Sequence, residues 1–518
     1  MRGSGRVRGV VLTIAYLMAL VMLSALLPSL AFAIVSKASL DDLTLRSDAI
    51  VVGTVTKASS FWQDGRIYTN VTISVEQTVK GGSLHPEITL RQAGGEVDGV
   101  GEWVEDEPGF AVGERAVLFL GRAGPDSFEL TGAFQGKLPV ENDHVFLQDK
   151  YVPLSALLER VTTILEGRQQ APAETEPEGG AGPAAACSIT SINPASASAG
   201  TGKTVDISGS NFGDSGGRAK FFFYRQWDGS QWVYNWVEGG VRDWKATLLD
   251  DVTVPGTASP FEGASSGPVR VEPNAGDACQ SSFDFYVTFA YSGWKWAGTP
   301  SVSVRMADAA NGREAVMAAA TTWNGRARFS FVPGGSPTID QAKKDGENVA
   351  TWRDLGWDTV HDTGTLASTC CWYVSNPRPP PILECDVEFN SNSNVHWSTD
   401  GSPDPTEYDV QSVAVHEFGH FLDLLDLYGG PDQPKVMYGY GQRGSITKRN
   451  LQADDVAGIF WIYPLGVGGI LEPVDLAQLP PDAAGSGGGY TPCIAAAAAG
   501  AMFVIVVSGW YARRRWFR

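Results

Sequence analysis

His416 and His420 stand four residues apart, with Glu417 directly after the first. On a helix that spacing stacks two imidazoles on one face, where two ring nitrogens can approach a single ion. Imidazole suits zinc, and a carboxylate beside the pair can hold a water whose pKa the ion lowers toward neutrality. The chemistry this allows is metal-assisted hydrolysis with Glu417 as general base. Residues 410–415 contain no helix breaker, so a helix can carry the set. With six histidines in the chain, a chance H-E-x-x-H has odds of about one per cent. Two histidines on a solvated helix face are the plain alternative, and the surrounding residues have to decide.

Two helical ligands leave a catalytic zinc one protein ligand short. Asp426 and Asp423 compete for the place. If the chain turns sharply after His420, Asp426 can return to the ion. If the helix continues, Asp423 sits three residues on along the same face. A sharp turn at 423 needs a left-handed backbone, which aspartate tolerates better than most residues. Asp426 is favoured. Further on come Met437, within Lys435–Tyr440, and the stretch 451–463, whose Val456, Ile459, Phe460 and Tyr463 follow helical spacing. Upstream lie 310–323, ending on Trp323, and the strand-like 385–390.

Taken together these residues resemble the matrixin subgroup of metzincin peptidases over most of 291–464. The resemblance implies the pattern H-E-x-x-H-x-x-G-x-x-H/D, with Asp426 as third ligand and Asp423 where the family has glycine. It implies a methionine turn with Met437 beneath the metal, braced by Asp454 and Asp455. It makes 310–323 the first helix, and it puts Val387, Glu388 and Phe389 on an edge strand against which a substrate backbone is laid. Tyr438 and Tyr440 are candidates to aid an oxyanion, with a packing role as the alternative. One catalytic Zn2+ is implied. Structural Ca2+, common in matrixins, is admitted, although the sequence has no Asp-rich loop of calcium-binding type. Latent matrixins often block zinc with a propeptide cysteine, and no cysteine occurs between Ile34 and Ala186. The N-terminal domain then covers the cleft by other means or is an accessory domain.

The elements around this unit give a multidomain expectation. An α+β metzincin-type peptidase domain, a twisted mixed sheet plus active-site helix, follows an all-β barrel and an Ig-like β-sandwich. Residues 1–33 read as a signal peptide: basic start, apolar middle, and Ala31-Phe32-Ala33 before the cut. Residues 34–165 read mainly as strands, with apolar runs at 49–53 and 116–120 and alternation at Val71, Ile73 and Val75, and end in a helix from Leu154, a small β-barrel-like domain. Residues 47–55 resemble the opening of small barrels in secreted bacterial proteins, some of them netrin-like. Residues 166–186 are an Ala/Pro/Glu/Gly linker. Residues 189–201 and 205–213 resemble the opening of an IPT/TIG domain, here 187–289. Its aromatics, Phe221 to Tyr224 and several tryptophans, are a platform for a glycan or protein ligand or, with more weight, strand core.

The peptidase domain takes 290–465, and a Gly/Pro-rich stalk 466–492 leads to an apolar span, 493–512, and a basic tail, 513–518. Export followed by a membrane stop places the peptidase outside, secreted and at the cell surface. The tail also resembles a prokaryotic sorting signal, with Gly487-Gly488-Gly489 before the span. A formal net charge of −19 argues against nucleic acid as a partner. Cys187 and Cys279 bracket one domain and are placed to pair, whereas Cys370, Cys371 and Cys385 leave one over. The function expected is extracellular zinc endopeptidase acting on proteins or peptides. The alternative is a cell-surface adhesion or matrix-binding protein with a vestigial peptidase domain.

Overall fold

The computed structural model describes residues 38–464 apart from 125–126, 142, 148–149, 167–186, 215, 228–231, 257–262, 299–300, 308–311, 339, 354–356, 358–360, 362–363 and 376–380. The expected signal peptide, stalk, span and tail, and all of the linker except Glu166, lie outside the described residues. Among the described residues no helix is long and apolar enough to cross a membrane. The chain divides into two compact units, 1–474 and 475–518, and everything described belongs to the first.

Helix α1 (Leu40–Arg46) opens the described chain. Strands β1 (Ala49–Gln63), β2 (Arg66–Lys80), β3 (Glu87–Ala93), β4 (Gly95–Val97), β5 (Val100–Val104), β6 (Arg115–Arg122), β7 (Ser127–Leu130), β8 (Lys137–Glu141), β9 (His144–Leu147) and β10 (Lys150–Pro153) follow, then helix α2 (Leu154–Leu165). The pairings β1–β2, β2–β3, β3–β7, β7–β6 and β6–β1 close on themselves. Alternation along the strands explains the unbroken apolar runs. Ala49, Val51, Leu118 and Leu120 join one buried cluster with Val71 and Ile73. Ile50, Val52, Val117 and Phe119 face the other way, onto Leu43 of α1 and Leu157 and Val161 of α2. Both faces are covered, so both read as hydrophobic.

The second region carries β11 (Ser188–Asn193), β12 (Ser196–Ala199), β13 (Thr204–Ser210), β14 (Gly217–Trp227), β15 (Trp232–Gly239), β16 (Val241–Lys245), β17 (Leu248–Thr253), β18 (Val269–Pro273), β19 (Cys279–Gln280) and β20 (Tyr286–Tyr291). Eight of them form two four-stranded sheets, β11-β13-β17-β16 and β15-β14-β18-β19, tied by the Cys187–Cys279 disulfide, while β12 and β20 pair with each other. Phe221, Phe222, Phe223 and Tyr224 are buried, which makes these four core rather than platform.

The third region contributes β21 (Lys295–Trp296), β22 (Ser301–Met306), helix α3 (Arg313–Trp323), β23 (Ser330–Pro333), β24 (Asn348–Arg353), β25 (Ala367–Val374) and β26 (Pro381–Asn390). Short strands β27 (Trp397–Ser398) and β28 (Tyr408–Asp409) lead into helix α4 (Val410–Phe421), then β29 (Leu424–Leu425) and helix α5 (Ala453–Ile462). The main sheet runs β23-β22-β24-β26-β25-β5-β4. Its last two strands come from the N-terminal region.

Two expectations change here. Val387, Glu388 and Phe389 are not on an edge, because β26 lies between parallel β24 and antiparallel β25. On the β26 side the last strand contributed by the third region is β25, and its outer side is paired with β5. Strand β20 also runs across the boundary expected at 289/290 and pairs with β29, so these two regions share a strand ladder.

Candidate metal centre

Helix α4 is pinned at both ends. Its N-cap Asp409 accepts from Ser412 N at 2.8 Å and is clamped by the Arg449 guanidinium at 2.6 and 2.8 Å. At the other end Trp296 Nε1 donates to the Phe421 carbonyl at 2.7 Å. Trp323, at the end of α3, donates its Nε1 to the Val415 carbonyl at 2.8 Å and so fixes how the two helices sit. Every residue from His416 to His420 is buried.

The chain then leaves the helix sharply. Asp423 has φ 71°, the left-handed region. Its carboxylate accepts from Ser292 Oγ, from Gly293 N at 3.1 Å and from Trp294 N at 2.6 Å. Those bonds offset the cost of the left-handed turn and occupy both oxygens. Asp423 is thus the turning residue, and Asp426 returns to the histidines.

His416 Nδ1 lies 2.7 Å from the Val436 carbonyl and His420 Nδ1 2.7 Å from the Leu424 carbonyl. A carbonyl only accepts, so both Nδ1 atoms carry the proton and both Nε2 atoms are turned inward. They stand 3.2 Å apart. Asp426 Oδ1 is 3.2 Å from His416 Nε2, and Asp426 Oδ2 is 3.7 Å from His420 Nε2. A fourth group, absent from the sequence-based set, is Glu105, whose Oε1 lies 3.4 Å from His420 Nε2 and 3.7 Å from His416 Nε2. One ligand atom from each of Glu105, His416, His420 and Asp426 falls within 4.8 Å of the others.

The donor set fits a divalent cation. Glu417 Oε1, Asp426 Oδ1 and Asp106 Oδ2 are buried with no hydrogen-bond donor, and buried polar atoms are seldom left so. Two imidazole nitrogens and two carboxylates at tetrahedral reach are zinc-type ligands. Burial opposes a charged His420, but the Glu105 and Asp426 carboxylates outweigh it and push the imidazole up to about 10. Burial and the neighbouring Glu105 charge push Glu417 well above the usual carboxylate range. Thr369 Oγ1 donates to Glu417 Oε2 at 2.6 Å and holds it beside the centre.

Met437 is 2 % exposed beneath helix α4. A Cβ on Gly419 would overlap its sulfur, so glycine there is what lets Met437 come so close. Asp455 holds the turn by accepting from Val436 N at 3.1 Å, Met437 N at 3.3 Å and Gln452 N at 2.8 Å. Asp454 does something else: it receives the Tyr286 hydroxyl and pairs with Lys435 Nζ at 3.2 Å. Tyr438 and Tyr440 are buried and pack edge to face, centroids 5.4 Å apart. Glu388 pairs with Arg353 and His361, each at 2.7 Å, inside the sheet. Lys448, also unforeseen, donates to the Tyr438 carbonyl and lies 3.3 Å from His416 Nδ1. Of the three cysteines in this region, Cys371 and Cys385 are bonded across β25 and β26, and Cys370 is free and buried.

Sequence spacing gave no access to Glu105. It meets Thr369 across 264 residues of chain. The one available signal was the acidic stretch Glu105-Asp106-Glu107 directly after an apolar-and-tryptophan strand.

Comparison with known families agrees with this geometry. Residues 363–464 match the family model for Matrixin, and residues 187–224 match that for the IPT/TIG domain. The first match takes in helix α4, Asp426, the Met437 turn and α5; the stretch 291–362 lies outside it. No curated protein matches the chain. The matrixin match supports a zinc metallopeptidase, and the chain is multidomain and rich in β-structure.

Proposed function

We propose that this chain, with its matrixin and IPT/TIG segments, is an exported zinc endopeptidase that hydrolyses peptide bonds in proteins or peptides. The observation that carries the reading is the convergence of His416 Nε2, His420 Nε2 and Asp426 on one point, with Glu417 beside it. Those three residues would hold the ion, and zinc bound there supplies a Lewis acid for the scissile carbonyl and acidifies water. Glu417, oriented by Thr369, takes a proton from the attacking water and returns it to the leaving amine. Met437 gives the site an apolar floor, and Tyr438 and Tyr440 form wall rather than supply a proton. The strand for an extended substrate backbone is β25, the peptidase-region strand that pairs with β5.

The surrounding assignments belong to the same proposal. Residues 1–33 direct export, and 34–165 form a small barrel, in keeping with the strand pairings that close on themselves. Residues 187–289 form an Ig-like sandwich able to take a glycan or protein ligand. Residues 493–512 anchor the chain with the peptidase outside. The test is Glu417→Ala at matched zinc content, in the Glu105→Ala background as well as alone, against a casein-like substrate. Loss of about 100-fold or more is expected for removal of a general base, and measurable cleavage that is equal with and without Glu417 would defeat the mechanism.

A further inference from the structure

A catalytic zinc keeps one position open, whereas a closed set of four protein ligands holds the metal without reaction. In this chain a further carboxylate, that of Glu105, stands at the two histidines. Strand β5 lies antiparallel along β25, from Val374↔Val100 to Cys370↔Val104. Glu105 follows with its N–H on the Thr369 carbonyl at 3.1 Å, while Thr369 N donates back to Glu105 Oε2 at 3.0 Å. The other oxygen, Oε1, is directed between the two Nε2 atoms. Glu105 is 3 % exposed. Thr369 thus bridges two carboxylates, Glu105 through its backbone and Glu417 through its hydroxyl.

We propose that residues 100–106 are a built-in plug: Glu105 completes the metal's ligand set and β5 occupies the edge a substrate backbone would use. The peptidase is therefore latent until this segment is withdrawn. The inference rests on the metallopeptidase reading above and names its regulation.

The segment is held as a part that belongs there. Glu102 receives Arg66 Nε and Ile67 N from β2 and Trp372 Nε1 from β25 at 3.0 Å. Trp103 lies against His420, centroids 5.3 Å apart, and edge-on to Trp294 at 6.3 Å. Asp106 Oδ1 accepts from the Tyr428 hydroxyl at 3.2 Å, and its carbonyl accepts from Phe134 N at 3.0 Å. Arg66, Ile67 and Phe134 belong to the N-terminal region, so plug and domain have to move together. The carboxylate that stands at the histidines thus comes from the N-terminal region and not from the peptidase region.

The experiment uses the full chain loaded with Co2+ in place of zinc: wild type, Glu105→Gln and Glu105→Ala. Three readings are taken: cobalt uptake, the visible cobalt spectrum, and its titration with acetohydroxamate, a small chelating probe that needs an open position. The plug predicts a wild-type spectrum of a closed site and hydroxamate binding weakened about tenfold or more relative to Glu105→Ala, as for a site open in a tenth or less of the molecules. Casein cleavage should rise in the same order. Glu105→Gln keeps the shape of the strand, so it gives the answer if the alanine protein does not fold; its spectrum should also move away from that of wild type. Identical spectra and hydroxamate affinities within twofold across the folded proteins would overturn the plug. Failure of every form to take up cobalt would instead overturn the metallopeptidase reading.

Discussion

At Gly419 the absence of a side chain does structural work that only the fold reveals. Any Cβ there meets Met437 Sδ and approaches the Trp323 ring. Gly419→Ala should cost about 1–3 kcal/mol, the range for overpacking a filled core, and should weaken metal binding because helix α4 must shift. Thermal melts and a zinc competition titration would measure both, and unchanged values in the two would mean that Met437 is free to move aside. Asp423 is the complementary case. Its left-handed φ was foreseeable from the glycine expected there, but its three donors were not, since they lie 129 to 131 residues upstream. Asp423→Ala should lose about 3 kcal/mol or more from the bonds and the turn together. Asp423→Asn keeps an acceptor and tolerates the turn, so it should lose less. Equal melting temperatures for the two would show that the hydrogen bonds contribute nothing.

Periodicity made most of the elements legible, and it failed where burial depended on a distant segment. The apolar runs in 49–53 and 116–120, the helix from Leu154 and the helix carrying His416 follow from local pattern. Strand β26 did not, because nothing in its own sequence says whether it sits at an edge. Its alternating acids, Glu384, Asp386 and Glu388, look like a solvated face, yet all three are buried. They receive backbone amides from 342–349: Glu388 takes Ala342 N, Asp386 takes Lys343 N and Val349 N, and Glu384 takes Asp345 N and Gly346 N. Burial pushes the Asp386 carboxyl well above the usual carboxylate range despite its two amide donors. A carboxyl raised on folding contributes stability below its unfolded pKa of about 3.9 and loses it as pH rises through the folded value. The stability gap between wild type and Asp386→Asn should therefore narrow from about pH 4 upward. Denaturant melts across that range would measure it, and a widening gap would refute the assignment.

On the scale of the whole molecule, the regions that composition separates are joined through buried contacts at the metal centre. Asp432 receives Ser266 N at 2.9 Å, Ser266 Oγ at 2.6 Å and Lys435 Nζ at 2.8 Å, and Lys435 also donates to the Val287 and Thr288 carbonyls. Strand β20 pairs with Leu424 and Leu425, between His420 and Asp426. Phe134 packs on Tyr224 and Tyr428, centroids 4.6 and 5.5 Å away, bringing all three regions to one point. None of this was legible in the sequence, because each contact joins segments whose local patterns are complete without it. Asp432→Ala would remove one of the two carboxylates that face the buried Lys435 ammonium and leave Asp454 as the other. The loss should fall below the ~3–5 kcal/mol of a buried charge left without a partner, and the ladder that delivers Asp426 would loosen. Zinc affinity should fall with it, although residue 432 is no ligand. A metal bound to the folded state alone at 1,000 times its Kd adds about 4 kcal/mol. If residues 38–464 unfold as one cooperative body, chelation should lower a single calorimetric transition as a whole. Two transitions, with only one moved by the chelator, would mean instead that the regions melt independently and that the junction transmits nothing to the metal site.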